Sequence, residues 1–66
     1  MDIKYPNVTV KLVGTDGNAF ALMTLVRKAI ASEVSYEAAN DYAEEAINAE
    51  SYDAFLALNM RTVNVI

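Results

Sequence analysis

The sequence predicts an α+β fold: one small β-α-α-α-β domain spanning residues 1–66, with a two-stranded sheet packed on three helices and completed by oligomerisation. Three observations predict it. Apolar residues alternate near both ends of the chain, at Val8, Val10 and Leu12 and again at Val63 and Val65, the period of a half-buried strand. The middle instead carries apolar residues at helical spacing, twice behind a serine suited to capping. Both glycines, Gly14 and Gly17, fall within one short stretch between the first strand and the first helix. Glycine reaches backbone angles that strain other residues, so this junction marks the sharpest bend in the fold.

The first strand is expected from about Asn7 to Val13. Pro6 cannot donate a ladder hydrogen bond and therefore suits the mouth of a strand, not its middle. Val8, Val10 and Leu12 meet the core, and Thr9, Lys11 and Val13 form a partly polar second face. From about Asn18, the run Ala19-Phe20-Ala21-Leu22-Met23-Thr24-Leu25-Val26 is almost unbroken apolar sequence, and Ala29-Ile30-Ala31 closes the segment. Its length and its Ala, Leu and Met content favour a helix. A helix apolar nearly all round must be buried on more than one side, so we expect a second copy of the chain to cover part of it. Arg27 and Lys28 are expected near its C-terminal end, where cations suit the helix dipole.

Ser35 is the expected N-cap of a second helix from Tyr36 to about Asn48, a residue able to take the left-handed angles that end helices. Tyr36, Ala39, Ala43, Ala46 and Ile47 form its expected inner face, with Glu37, Asp41, Glu44, Glu45 and Asn48 as a solvated outer stripe. Asp41 and Glu45, four residues apart, lack a third ligand, so no metal site is expected. Ser51 caps a third helix through about Met60, with Tyr52, Phe55, Leu56 and Met60 expected in the core. The stretch Thr62–Ile66 then forms a second strand beside the first, and a crossover of three helices permits parallel pairing.

Composition narrows the function. The 66 residues contain no Cys and no His, which removes disulfides, nearly every structural zinc arrangement, the usual general base and the thiol nucleophile. No cofactor is expected, and the reading is that the chain is not an enzyme. A domain of this size has little core to stabilise it, and a 55% hydrophobic content leaves apolar surface over, so the expected partner is a second copy in a homo-oligomer. A net charge of −4 disfavours long nucleic acid, which demands a basic stripe. The N-terminus has no basic lead before an apolar run and no stretch reaches the length of a membrane span, so a cytoplasmic location without membrane association is expected.

The candidate ligand site is the turn Gly14-Thr15-Asp16-Gly17-Asn18 with Lys11, Tyr42 and Arg61. A strand that passes through Gly-x-x-Gly into a helix aims backbone N–H groups and the positive end of the helix dipole at one spot, which favours an anion. The turn lacks the Lys and Ser or Thr of a P-loop and the third Gly of a dinucleotide fingerprint. The alternative is a tight turn in which Asp16 or Asn18 caps the helix. For a nucleotide, Tyr42 is the candidate stacking ring and Arg61 the candidate phosphate contact, brought to the turn if the two strands are neighbours; the alternative for Tyr42, as for the other three Tyr, is an amphipathic core residue with a wet hydroxyl.

Two segments carry a resemblance to a known group of proteins. Val8-Thr9-Val10-Lys11-Leu12-Val13-Gly14-Thr15-Asp16-Gly17-Asn18-Ala19-Phe20 is the first, and Ser51-Tyr52-Asp53-Ala54-Phe55-Leu56 with Met60-Arg61-Thr62-Val63-Asn64-Val65 is the second. In these the chain resembles a family of small proteins of bacteriophages and related mobile elements, one with no assigned activity and hence no catalytic or ligand residue to carry over. The resemblance implies a phage origin, and for compact apolar phage proteins a counter-defence role by analogy. The expectation is a non-enzymatic oligomeric binding protein that acts as a sponge, sequestering a cyclic or other signalling nucleotide in a pocket between subunits. The alternative is a structural or protein-interaction module that binds and inhibits a host or phage protein through its acidic helix face or an open sheet edge.

Overall fold

The computed structural model describes residues 2–12, 14 and 17–66, and the expectations that fall on Val13, Thr15 and Asp16 lie outside them. The order is β1 (Tyr5–Val10), α1 (Ala19–Glu33), α2 (Tyr36–Ile47), α3 (Tyr52–Thr62) and β2 (Val63–Val65). This is the α+β arrangement read from the sequence, and β1 and β2 pair in parallel to form a two-stranded sheet. Among the described residues no helix is long and apolar enough to cross a membrane.

The first strand begins earlier than expected and contains Pro6. The ladder explains how a residue with no N–H is tolerated there. Tyr5 pairs with Val63 and Thr9 with Asn64, so the residues between Tyr5 and Thr9 bulge out of register, and Pro6 lies in that irregular part. Beyond the bulge the alternation holds. Val8 and Val10 are buried, Thr9 and Lys11 are exposed, and bonds from Leu12 N to Ile66 O (2.9 Å) and from Ile66 N to Val10 O (3.0 Å) extend the pairing past both strands.

Each helix starts on a side-chain cap that takes up an otherwise orphaned N–H. Asn18 accepts from Phe20 N at 2.8 Å, Ser35 from Ala38 N at 3.0 Å and Ser51 from Ala54 N at 3.0 Å. The α1 helix runs on to Glu33, which leaves Arg27 and Lys28 short of its last turn and corrects their expected pairing with the dipole. Asn48 ends α2 as expected but at φ −88° and ψ 1°, not in the left-handed region. The last turn of α3 carries Arg61, and Thr62 passes straight into β2 with no connecting loop.

The core lies between the sheet and the helices: Val8 and Val10 from β1, Leu22, Val26 and Ile30 from α1, Ala38, Ala39 and Tyr42 from α2, Phe55 and Leu58 from α3, and Val63 from β2. Two expected inner faces are corrected here. On α2 the end residues Tyr36 and Ile47 are exposed, because Ala38 and Ala39 allow close approach while the Tyr42 ring fills the space toward α3. On α3 the buried stripe is Phe55, Leu58, Asn59 and Thr62, which leaves Met60 and much of Tyr52 at the surface. Helical spacing admits the two polar residues of that stripe because each finds a partner: Tyr42 Oη donates to Asn59 Oδ1, and Thr62 Oγ1 donates to Leu58 O at 2.6 Å.

Candidate functional site

At the C-terminal end of β1, the glycine turn hands the chain to α1. Gly14 has φ +83°, in the left-handed region that a side chain disfavours, whereas Gly17 lies outside that region. Gly17 contributes through its carbonyl, which accepts a hydrogen bond of 2.7 Å from Tyr52 Oη at the start of α3. One residue on, the Asn18 side chain takes the Phe20 N–H. A donor that an incoming anion would use is therefore already occupied, as the capped-turn alternative anticipates. Lys11 is exposed just before the turn.

Beside this turn the first turn of α1, the end of α2 and the start of α3 enclose an open apolar cleft of about 340 Å³, with Phe20, Met23, Ile47, Tyr52 and Phe55 among its walls. Phe20 and Ile47 are 73% and 69% exposed, so two large apolar side chains stand at the rim instead of in the core. The Tyr52 and Phe55 rings are tilted against each other with centroids 6.1 Å apart, an arrangement that holds the wall in place. Chemically the cleft offers flat apolar surface next to a polar turn, which suits a ring or an apolar side chain better than a bare ion.

The structure keeps Lys11, Gly14, Gly17 and Asn18 as near neighbours along the chain between β1 and α1, while Thr15 and Asp16 lie outside the described residues. It separates the other two candidates from them. Tyr42 is 2% exposed and bonded to Asn59, so its ring is inside the core and not available for stacking; burial also holds its hydroxyl well above the ordinary phenol range. Parallel pairing puts Arg61 at the opposite end of β1 from the turn, where its carbonyl accepts from Lys4 N at 3.0 Å. There Lys4 and Arg61 line a separate open groove with Asp41, Glu44, Glu45 and Glu50. The strands are indeed neighbours, but their direction sends Arg61 the wrong way.

Phe20, Ile47 and Tyr52 are the site residues that the sequence reading placed elsewhere or passed over. A signal for one of them exists. Tyr36 and Tyr52 each follow a serine N-cap directly, and the first residue of a helix projects from its end, where the core seldom reaches. Nothing comparable marks Ile47. Comparison of the chain with protein-family models, with curated proteins and with solved structures found no match.

Proposed function

We propose that the chain is a non-enzymatic binding protein of phage type that works as a homo-oligomer and sequesters a signalling nucleotide, such as a cyclic nucleotide, between its copies. The observation that carries this reading is the exposed aromatic and apolar wall of Phe20, Ile47 and Tyr52 standing directly beside the glycine turn. Tyr52 takes the stacking role for which Tyr42 is unsuited, and Lys11 lies on the strand side of the turn to meet a phosphate. One copy supplies an open half of a site, and a second copy closes it. The action is stoichiometric capture, with no bond made or broken.

Thermal melting against cyclic di- and trinucleotides, NAD derivatives and deoxynucleoside triphosphates tests this. At a ligand concentration about 100 times Kd the stabilisation is roughly 2.7 kcal/mol, which for so small a domain raises Tm by on the order of 10 °C. Tyr52→Ala and Lys11→Ala are each expected to weaken that ligand about tenfold. An unmoved Tm across the whole panel overturns the nucleotide reading. A second reading, favoured by the exposed acidic residues of α2, makes the chain an interaction module that docks on a basic surface of a host or phage protein. It calls for a silent nucleotide panel together with binding to a purified target that weakens as salt rises.

A further inference from the structure

Arg27 and Lys28 lose their expected pairing with the helix dipole because α1 runs on past them, and the structure gives them a different setting. Together with Ala31, Ser32 and Tyr36 they line a hollow of about 300 Å³ between the later turns of α1 and the start of α2. Arg27 with Ala31 and Lys28 with Ser32 are each four residues apart, so these side chains share one flank of α1. The short connection Val34–Ser35 then brings Tyr36, whose ring is 76% exposed, up beside that flank. Arg27 is held in place, since its Nη2 donates to Asn40 Oδ1 at 3.0 Å and ties the guanidinium to α2. Lys28 is uncommitted: among the described residues its ammonium has no hydrogen-bond or ion-pair partner, and neither has the Ser32 hydroxyl. The acids next along the chain, Glu33 and Glu37, are not among the walls. Tyr36 also opens α2, where the Ser35 side chain takes the Ala38 N–H and leaves the earlier N–H groups of the first turn without an intrahelical partner. The positive end of that helix dipole therefore adds to the two cations.

We infer that this hollow binds a nucleoside monophosphate, with the phosphate held by Arg27, Lys28 and Ser32 and the base laid against the Tyr36 ring. The site lies within one copy, at the opposite end of the α1–α2 pair from the Phe20 and Ile47 cleft, and does not depend on the preceding reading. Three features select this ligand. Two cations, a hydroxyl and a helix N-terminus gather at one hollow in a chain of net charge −4, so the spot is a local exception to an acidic molecule and suits an anion with several acceptor oxygens. An exposed ring beside that anion offers a face on which a base stacks. The volume is at the lower end of small-ligand sites, which matches one base with its phosphate and not a dinucleotide.

NMR titration of the isotope-labelled chain with adenosine monophosphate, adenosine and inorganic phosphate tests it. The largest amide shifts are expected at Arg27, Lys28, Ser32 and Tyr36, with the nucleotide bound at least about tenfold more tightly than either fragment and more weakly as salt rises. Lys28→Ala removes most of the advantage over adenosine and Tyr36→Ala most of the advantage over phosphate, each a loss of about tenfold, whereas Tyr36→Phe keeps the ring and retains binding. Both positions are exposed, so the fold is expected to survive these changes. Lys4→Ala, which removes an exposed cation outside the hollow, is the control and leaves the affinity unchanged. Three results each overturn the inference: no shifts at millimolar nucleotide, shifts centred elsewhere that Lys28→Ala and Tyr36→Ala leave intact, or either fragment bound as tightly as the nucleotide. The preceding reading survives all three, because it is read through Tyr52→Ala and Lys11→Ala.

Discussion

Tyr42 and Asn59 form the pair on which the core's polar content turns. The phenol donates to the amide oxygen, and among the described residues the amide nitrogen of Asn59 is buried with no partner. Removing one member is therefore worse than removing both. Tyr42→Phe strands the remaining amide atoms and is expected to cost about 1–3 kcal/mol, while Tyr42→Phe with Asn59→Leu, which leaves nothing to satisfy, falls near wild type; urea unfolding of the three proteins measures this. Burial raises the Tyr42 phenol above its ordinary 10.0. The unfolded chain thus releases that proton first, so the contribution to stability is full below pH 10.0 and declines as pH rises above it. A wild-type urea midpoint as insensitive to alkaline pH as that of the Tyr42→Phe, Asn59→Leu protein contradicts this. The two glycines separate in the same way. Gly14→Ala forces a side chain into the left-handed region and is expected to lose about 1 kcal/mol, whereas at Gly17 a Cβ meets, among the described residues, only Tyr52 Oη at 3.8 Å and Ala is expected to be tolerated. Equal losses from both in thermal melting would refute the distinction.

Elements show where local sequence was sufficient. Ser35 and Ser51 cap α2 and α3 as their positions before helical runs require, and Ser35→Ala or Ser51→Ala is expected to cost about 1 kcal/mol by urea unfolding. The alternation at Val8 and Val10 was legible for the same reason, since side chains two apart on a strand share a face. The inner faces of α2 and α3 were not legible. On α2, Tyr36 and Ile47 fit an apolar stripe as well as Ala39 and Tyr42 do, and only contact with α1 and α3 selects between the two flanks. On α3, reading polar residues as exposed hid Asn59 and Thr62, whose burial depends on one partner from another helix and one from the preceding turn. Arg61 illustrates a different limit: its place beside Lys4 follows from strand direction, a property of the pair and of neither strand.

At the scale of the whole molecule, the radius of gyration of 10.6 Å is close to the roughly 11 Å that a folded chain of this length adopts, so one copy closes its own core. Its accessible surface of 4467 Å² nevertheless exceeds the roughly 4,100 Å² typical of a monomer of this mass, in keeping with large apolar side chains left outside. The need for a partner, on the reading proposed here, lies in that surplus and not in a failure of the core. The sequence by itself determined the order of elements, their caps and the alternating faces of the strands, because each depends on residues a few positions apart. Only the tertiary structure decided which flank of each helix is buried, which aromatic rings stay exposed and which cation lies far from the glycine turn. Those outcomes depend on distant segments competing for the same space, and a periodic pattern read along one segment holds no information about the segment packed against it.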